Sequence, residues 1–507
     1  MKYCILILGF IHYSSLSYCQ LFSNDVIHTI NIISNNDSLW EQLEIDYTNL
    51  LESGVKSYQS INIIIDNDTV NNVGLRWKGA YSNTGFPGIK KPLKLDFSEF
   101  VEDQKYKGLS KLNFSNFALD PSFLREKISY EFHQRMGNAV PNSAYCNIYL
   151  NDELIGFYLM IEQVNKSFLA KHFSSNEGNL YKCVDGTELN YIDDNFESYF
   201  EDFQLRTNKG SDVHDNFIGF IRNIDYSNSF NAAPKLNEYL SIDPYLNVLV
   251  VDVFLNNWDS YYGNGRNFYL YDDPIQNLLR WIPWDYNLSF SPYTAYVFPH
   301  DKSEDKFKPL IKRIEENPCL RNQYLDKMCD LLHQLDRPYW YSRIKELEEL
   351  ISNSVEMDDN KLYSTSSFYE NINHTVAVDK PNSEGVFMKV EHLPGIKEIF
   401  DVRPNEIQRD LFAEGFECGQ DYCEECIDIR AFPNPSNDEF TVEITSSKEL
   451  LNEFSIISID GKKMYSHSFT TNYQHFIWNS FRLPKGMYLL SISTKNQHLK
   501  TQKIIIY

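Results

Sequence analysis

The sequence predicts a mixed α+β domain followed by a small all-β sandwich. Between residues 61 and 161, short alternating strands surround one helical segment. Between residues 213 and 351, the apolar side chains mostly have helical spacing. From Phe432 onward the pattern changes to short strands separated by turns. The 507 residues suffice for two to four domains, so each part has room for a core.

The individual elements follow from local patterns. In residues 91–97, the apolar side chains alternate onto one face of a strand, and Lys94 lies on the other face. Asp120-Pro121-Ser122 starts a helix that ends near Met136 and Gly137. Residues 174–195 are predicted to be a loop, and the polar stretch 353–390 has no clear pattern. The other predicted elements are strands at 61–65, 73–78, 144–150, 155–161, 268–271 and 281–287, helices at 166–172, 213–224, 243–257 and 318–351, and sandwich strands at 440–444, 454–459, 475–478, 487–494 and 500–507.

Composition excludes two classes of protein. Hydrophobic residues make up 42% of the chain and aromatic residues 15%, with 34 Tyr and 34 Phe, so a wholly disordered chain is ruled out. The 70 acidic against 47 basic residues give a net charge of −23, which repels a nucleic-acid backbone. We therefore expect no nucleic-acid partner, although a local basic pocket for one nucleotide stays open.

The N-terminal residues predict export. Lys2 precedes the apolar run 3–11, which is too short to cross a bilayer, and small residues follow up to Cys19. This pattern predicts a signal peptide over residues 1–19, cleaved near Gln20, with a buried N-terminal strand as the alternative. No later run predicts a transmembrane segment. We expect a protein that is secreted or held at the cell surface after passing through the periplasm.

The cysteines mark a boundary between domains. Cys418, Cys423 and Cys426 form a tight cluster inside a predicted linker, residues 416–430. A local disulfide is favoured there over a zinc site, because no His lies nearby. Seven cysteines follow the signal peptide, an odd number, so at least one thiol stays unpaired or pairs between molecules. The predicted division is a signal peptide at 1–19, a lead-in at 20–59, an α+β domain at 60–415, the linker at 416–430 and the sandwich at 431–507.

One constellation has the composition of a phosphoryl-transfer site. Asp259 and Asn264 have the spacing of the protein-kinase catalytic loop, and Asn267 follows in the same loop. Asp285 comes one hairpin later, where a kinase carries its metal-binding carboxylate. One loop can therefore supply a base and a metal ligand, and the hairpin a second ligand. The alternative is that Asp259 and the asparagines only cap turns.

Upstream residues complete this interpretation. Strands carry Lys78 and Lys94, and either lysine can contact phosphates. The helix between the strands carries Glu126 as the partner of such a lysine. Glu162 lies at the end of the following hairpin, where a kinase has its hinge. The turn-rich loop 79–85 can cover phosphates, but it lacks the glycine pattern of a kinase loop.

Residues 60–415 resemble the CotH kinase family. The resemblance implies an atypical protein-kinase-like fold, bound ATP with Mg²⁺ or Mn²⁺, and transfer of phosphate to Ser or Thr of secreted proteins. The segments that carry it are Val73-Gly-Leu-Arg-Trp-Lys-Gly79, Lys90-Lys-Pro-Leu-Lys-Leu-Asp96, Leu124-Arg-Glu-Lys127, Gly156-Phe-Tyr-Leu-Met-Ile-Glu-Gln163, Leu205-Arg-Thr-Asn208, Asn257-Trp-Asp259, Trp281-Ile-Pro-Trp-Asp285 and Pro394-Gly-Ile-Lys397.

The resemblance also implies roles for single residues. Asp259 corresponds to the catalytic aspartate, Asp285 to the metal-binding aspartate, and Asn264 or Asn267 to a second metal or phosphate ligand. Many relatives carry Asp-Tyr-Asp where this chain has Asp285-Tyr286-Asn287. An amide there adds no negative charge to hold a metal. The alternative function is therefore an inactive pseudokinase that acts as a structural or adhesion protein at the cell surface.

Four segments distinguish residues 431–507: Phe432-Pro-Asn-Pro-Ser436, Ile459-Asp-Gly-Lys462, Leu483-Pro-Lys-Gly-Met-Tyr488 and Lys503-Ile-Ile-Ile-Tyr507. With these segments, residues 431–507 resemble a second family, the C-terminal sorting domain of type IX secretion. The resemblance implies an immunoglobulin-like sandwich, a type IX secretion machinery as partner and a Bacteroidetes-type source. On the strand pattern alone, a carbohydrate-binding or adhesive sandwich is the alternative.

Overall fold

Seven strands from the first third of the chain close into a barrel in the order β1-β2-β3-β4-β5-β7-β6. All neighbours are antiparallel except β1 and β6, which run parallel and close the barrel. The computed structural model describes residues 21–22, 26–229, 231–298, 308–419, 427–432, 434–435, 440–446, 451–469, 475–479, 483–494 and 499–506. The barrel strands are β1 His28–Ile33, β2 Gln59–Ile65, β3 Asp68–Trp77, β4 Leu93–Asp96, β5 Lys111–Ser115, β6 Ser143–Leu150 and β7 Glu153–Glu162.

The residues predicted to be a lead-in belong to this barrel. Ile30 and Ile32 alternate into its core, in register with the buried isoleucines of β2. Helix α1, Leu39–Ser53, follows β1, and its buried Leu39 and Leu43 join the same apolar cluster. Strand β1 was not predicted because its six residues show only a short alternation of buried and exposed positions. Its pairing with β6 joins residues that are distant in sequence.

The barrel is followed by a second sheet with the order β11-β10-β8-β9. Its strands are β8 Leu180–Cys183, β9 Phe203–Leu205, β10 Phe268–Asp273 and β11 Leu278–Pro283. The prediction of a loop over residues 174–195 was therefore wrong at β8. The four residues of β8 are too few to show the two-residue period of a strand in the sequence. In the structure Leu180 and Tyr181 pair with β10, and both are buried.

Helices surround this second sheet and connect it to the barrel. The segment 318–351 was predicted as one helix, but Asp336 ends it because its side chain caps the next helix at the Tyr339 N–H, 3.0 Å away. The unassigned polar stretch contains one helix and a hairpin, β12 Val376–Pro381 and β13 Phe387–Leu393. The helices after α1 are α2 Tyr81–Thr84, α3 Arg125–Arg135, α4 Lys166–His172, α5 Asp215–Tyr226, α6 Ala232–Asn237, α7 Ile242–Phe254, α8 Pro309–Glu316, α9 Pro318–Gln334, α10 Arg337–Met357, α11 Thr365–Asn373 and α12 Ile396–Ala413.

The disulfide of Cys418 differs from the prediction. Cys418 pairs with Cys329 of α9, at a sequence separation of 89 residues, and not within its own cluster. An ion pair of 2.7 Å between Arg321 and Glu414 brings the end of α12 beside α9, which places the two sulfurs together. Cys423 and Cys426 lie outside the described residues.

The C-terminal part is β-rich. Two antiparallel sheets, β14-β15-β18 and β17-β16-β19-β20, contribute side chains to one apolar core. The predicted α+β class with a β-rich C-terminal part is confirmed, whereas the kinase-like and immunoglobulin-like assignments stay predictions. The strands are β14 Ile427–Phe432, β15 Thr441–Ser446, β16 Leu451–Ser458, β17 Lys463–Ser468, β18 His475–Asn479, β19 Gly486–Thr494 and β20 Leu499–Ile506.

Two predictions concern the passage across membranes. The proposed signal peptide, residues 1–19, lies outside the described residues. In the part of the chain that the structure describes, no helix combines the length and the apolar character that a membrane crossing requires.

Candidate active site

Asp259 lies in the loop after α7, held by two side-chain amides. Asn264 Nδ2 donates to Asp259 Oδ1 over 2.7 Å, and Asn267 Nδ2 donates to Asp259 Oδ2 over 2.8 Å. The same Asn267 amide also donates to the backbone carbonyl of Asp259, at 2.8 Å. The three residues singled out from their spacing therefore form one unit, in which the asparagines fix the orientation of the carboxylate.

A second segment runs beside this loop and brings Asp285 to it. The Trp284 N–H donates to the Asn267 carbonyl at 3.0 Å, and the Phe290 N–H donates to the Leu255 carbonyl at 2.7 Å. Asn267 and Asp285 have φ values of 63° and 62°, in the left-handed region that Asn and Asp adopt more readily than other non-glycine residues. These conformations turn the backbone at both residues and so bring the two segments side by side.

Helix α3 contributes the opposite side of the site. The Tyr130 hydroxyl accepts from the Asp285 N–H at 3.1 Å and donates to Glu126 Oε1 at 3.3 Å. Lys78, directly after β3, interacts electrostatically with both Asp285 and Glu126, and its ammonium lies 5.8 Å from the Trp284 ring centroid. The structure thus brings together Lys78, Glu126 and Asp285, three of the predicted site residues.

The electrostatics of these groups are strongly coupled. Burial, reinforced by the Asp285 charge, raises the pKa of Glu126 to about 8. Burial also raises the pKa of Asp259, and the charge of Asp285 adds to that effect, while the amide of Asn264 opposes it. Burial lowers the pKa of Lys78, whereas the negative charges of Asp285 and Glu126 act to raise it. Carboxylates that repel one another in this way favour a bound cation.

Lys94 belongs to a larger group of cations that faces the site. Burial and the charges of Arg76, Lys78 and Lys182 hold the pKa of Lys94 well below its usual range. Burial lowers the pKa of Lys182 to about 8, and Arg206 adds to this repulsion. The members of this group, named the cationic cluster below, are Arg76, Lys78, Lys94, Lys182 and Arg206.

Lys94 on β4 and Glu162 at the end of β7 lie next to the turn that follows β7. The Lys94 ammonium donates to the side-chain carbonyl of Gln163, which also accepts from Asn113 at 3.2 Å. The buried carboxylate of Glu162 accepts from the Asn142 N–H at 3.0 Å. Its side chain therefore holds β6 and β7 together, and its predicted role at a nucleotide hinge stays a prediction.

Comparison with known proteins identifies the family. The family described as CotH kinase protein matches residues 75–380, more than half of the chain. The chain belongs to the CotH kinase family. Residues 430–507 match the Secretion system C-terminal sorting domain, which indicates export through type IX secretion to the cell surface or beyond it.

Curated relatives of this CotH protein include spore coat proteins. The chain is 24% identical to "Inner spore coat protein H" of Bacillus subtilis (strain 168) over 267 residues, which is 47% of this chain and 71% of that protein. It is 22% identical to "Spore coat protein homolog 1" of Rhizopus delemar over 226 residues, which is 40% of this chain but 35% of that protein. Among solved structures, CopC from Methylosinus trichosporium OB3b aligns with 16% of this chain and 90% of its own, at 12% identity and a TM-score of 0.12, too low to bear on the fold.

The site of this CotH protein has a donor set that fits Mg²⁺ or Mn²⁺. Asp285 offers carboxylate oxygens, and Asn264 keeps its side-chain carbonyl available because its amide nitrogen binds Asp259. Hard oxygen ligands of this kind are those that both cations prefer. Within the described ranges, no group of three or more His, Cys, Asp or Glu side chains is placed to hold a metal ion.

Sequence reasoning missed three members of the cationic cluster. Arg76 and Arg206 lie in segments that carry the CotH resemblance, which was the available signal, but no role was assigned to them. Lys182 lies on β8, which was predicted as loop, so its direction could not be inferred. Arg76 lies on β3, Lys182 on β8 and Arg206 directly after β9, and only the folded arrangement brings them to Lys94 and Lys78.

Glu126→Gln is expected to make the melting temperature of the protein less dependent on pH. The pKa of Glu126 is about 8 in the folded protein and near 4.5 in the unfolded chain, so folding takes up a proton between these values. Its contribution to stability is complete below pH 4.5 and is lost as the pH rises through about 8. Glu126→Gln should therefore lose less in melting temperature between pH 5 and pH 9 than the wild type.

Thermal melts at pH 5, 7 and 9 check this expectation. Glu349→Gln is the matched control, because Glu349 is exposed and pairs only loosely with Lys345, at 3.6 Å. Equal pH slopes for the wild type and Glu126→Gln would contradict the buried, proton-binding state of Glu126.

Proposed function

We propose that this CotH protein is a protein kinase that transfers the γ-phosphate of ATP to Ser or Thr hydroxyls of exported proteins. The observation that supports it best is the placement of Asp259, oriented by two asparagines, beside Asp285, Glu126 and Lys78. A kinase needs an oriented carboxylate for the hydroxyl, a metal-binding carboxylate and a lysine with a glutamate partner. Asp259, Asp285, Lys78 and Glu126 supply these groups.

In the proposed reaction, Asp259 orients the acceptor hydroxyl and takes its proton. The acceptor oxygen forms a bond to the γ-phosphorus as the bond from that phosphorus to the bridging oxygen of ADP breaks. The leaving ADP keeps the electron pair of the broken bond. Asn264 and Asn267 hold the carboxylate in position, so that no reorientation is needed during the transfer.

The phosphates of ATP are assigned to the cationic cluster. Its members repel one another, and a polyphosphate relieves that repulsion. Lys78 is the better phosphate-binding lysine, because its charge interacts with Glu126 and Asp285, whereas the charges that act most strongly on Lys94 are those of other cations. Asp285 and Asn264 would hold Mg²⁺ or Mn²⁺, which when bound neutralises phosphate charge and aligns the γ-phosphate.

A transfer assay on the full chain tests this proposal. The full chain receives γ-labelled or α-labelled ATP with Mg²⁺ or Mn²⁺ and a mixture of secreted proteins as acceptors. Label from the γ position alone supports a kinase. Label from the α position means nucleotide transfer instead, and no label together with no ATP-dependent shift in melting temperature overturns an enzymatic function.

ATP affinity is expected to fall as the pH rises above about 8. In the protein without ATP, Lys182 has a pKa of about 8, so it loses its proton as the pH rises above 8. A bound polyphosphate favours the charged form of the lysine. Each lysine that must be protonated for binding weakens affinity by at most about tenfold per pH unit. Calorimetric titration with Mg²⁺ and ATP at pH 7, 8 and 9 measures this slope.

Two variants separate Lys182 from general effects of pH. Lys182→Gln should bind ATP more weakly at pH 7 and show a flatter slope above pH 8. Lys345→Gln, at an exposed position on α10, should keep the wild-type values. A slope that Lys182→Gln leaves unchanged would remove this residue from the phosphate site.

An inactive scaffold at the cell surface is the second candidate function. Asn287 favours it, because an amide stands two residues after Asp285 where many relatives have a carboxylate. A scaffold requires neither ATP nor metal. Metal-dependent stabilisation by ATP therefore supports the kinase, whereas a melting temperature that ATP leaves unchanged supports the scaffold. In either case the type IX secretion machinery is the partner for export, and a kinase would have secreted proteins as substrates.

A further inference from the structure

A cavity of about 420 Å³ opens beside Asp259. Asp259 and Asn264 line it together with Trp258, Leu288, Phe290 and Tyr293. No member of the cationic cluster lines this cavity. The cavity is therefore built from residues other than those of the proposed phosphate site, as a separate acceptor site requires. Its size lies within the range of pockets that enclose small molecules or single side chains.

The walls of the cavity are mostly apolar. Trp258 and Tyr293 contribute aromatic rings whose centroids are 5.8 Å apart, and Leu288 and Leu393 contribute aliphatic groups. Phe290, another lining residue, has a φ of 54°, a conformation that is costly for a bulky residue. A strained aromatic residue next to a reactive carboxylate indicates a site that the fold maintains at a cost in stability.

Lys380 and Glu391 both line the cavity, and Lys389, which is not one of the lining residues, pairs with Glu391. The carboxylate of Glu391 is almost completely buried and lies 3.2 Å from Lys380 and 3.1 Å from Lys389. Lys389 also donates to the Tyr293 hydroxyl at 3.0 Å. Two ammonium groups thus share one carboxylate, which leaves one positive charge in excess. On a chain with a net charge of −23, such a position attracts a carboxylate of a ligand.

We propose that this cavity selects the acceptor, and that it takes a protein segment with a bulky aliphatic side chain next to the acceptor hydroxyl and an acidic residue beyond it. This inference rests on the proposed kinase function. The aliphatic side chain enters between Trp258 and Leu288, which positions the hydroxyl at Asp259. The acidic side chain reaches Lys380 and Lys389. The hairpin β12–β13, which carries both lysines, is then part of the recognition surface for the acceptor.

Four synthetic peptides test both elements of this preference. Each carries one serine, flanked on both sides by either Leu or Ala, with either Glu or Gln at the next position on both sides. The symmetric design makes the result independent of the direction in which a peptide binds. We expect kcat/KM to be about 10-fold to 100-fold higher for Leu than for Ala. The expected advantage of Glu over Gln is about threefold, because these lysines are partly exposed.

Two variants connect the preferences to the cavity. Leu288→Trp fills the cavity and should remove the advantage of Leu over Ala. Lys389→Gln should remove the advantage of Glu over Gln and leave that of Leu. Lys345→Gln keeps both preferences, since Lys345 is exposed on α10 and pairs with Glu349, 3.6 Å away, and not with a residue of the cavity. The melting temperature of each variant establishes that it is folded.

The outcomes separate this inference from the proposed function. Equal kcat/KM for all four peptides, with transfer to them readily measured, overturns the assignment of the cavity and retains the kinase. Preferences that persist in Leu288→Trp and Lys389→Gln also overturn it, because the selection then occurs elsewhere. If neither the peptides nor a mixture of secreted proteins receives label, the kinase function itself fails and the inference fails with it.

Discussion

Replacing Asp259 with asparagine is expected to reduce phosphate transfer by about 10²-fold to 10⁴-fold, the usual contribution of a general base. The amide has the same shape as the carboxylate but cannot take the hydroxyl proton. ATP binding should persist, because the cationic cluster and Asp285 are unchanged. The result expected is therefore a large fall in kcat, with the ATP-dependent shift in melting temperature retained.

The measurement compares single-turnover transfer and thermal melts for the wild type, Asp259→Asn and a control. Asp243→Asn is the matched control, since Asp243 is an exposed aspartate that forms an ion pair with Lys327 at 2.8 Å. The substitution also changes the hydrogen bonds at position 259, an effect that is distinct from the loss of the base. In the variant, the amides of Asn264 and Asn267 face a third amide, which can rotate to offer only one acceptor oxygen. Transfer at the wild-type rate in Asp259→Asn would exclude this residue as the base.

The part of the site that sequence analysis could predict is the part that is local in the chain. Asp259, Asn264 and Asn267 lie within nine residues of one another, so a turn between a helix and a strand is enough to bring them together. Asp285 required only the additional step of one hairpin, β10–β11. The family resemblance then connected these residues to Lys78, directly after β3, and Glu126 on α3, both far away in sequence.

The other features of the fold and of the site depend on contacts between segments far apart in sequence, which local patterns do not encode. β1 pairs with β6 across more than a hundred residues, and Cys418 pairs with Cys329 because α12 returns to α9. Lys182 was missed because its strand, β8, was predicted as loop, and Arg206, directly after β9, was given no role because such residues are usually solvated. Only the folded barrel and second sheet place both in the cationic cluster. The cavity beside Asp259 likewise needed the hairpin β12–β13, which the polar stretch 353–390 did not reveal.

Replacing Asp285 with asparagine is expected to abolish the metal-dependent part of ATP binding. Asp285 is the one carboxylate of the site that faces both Lys78 and Glu126, and an amide in its place would retain an oxygen without the charge that holds Mg²⁺. We expect transfer to fall by about 10²-fold or more, as it does when a fixed electrostatic contact to the transition state is removed. Titration of Mg²⁺ at a fixed concentration of ATP measures the loss directly.

The same variant has a second consequence in the absence of ligand. The charge of Asp285 raises the pKa of both Glu126 and Asp259, which means that Asp285 repels each of these carboxylates in the free protein. Asp285→Asn removes this repulsion together with the attraction of Asp285 for Lys78 and Lys182. We expect the relieved repulsion to be the larger effect, so the free variant should melt at a higher temperature than the free wild type at pH 8.

A gain in stability that accompanies a loss of metal-dependent binding is the signature of a functional site, where function is maintained at the expense of stability. The converse substitution, Asn287→Asp, adds a carboxylate two residues away and should tighten Mg²⁺ while lowering the melting temperature of the free protein. If Asp285→Asn instead lowers the melting temperature and leaves Mg²⁺ titration unchanged, Asp285 has a structural role, and the scaffold function becomes the better explanation.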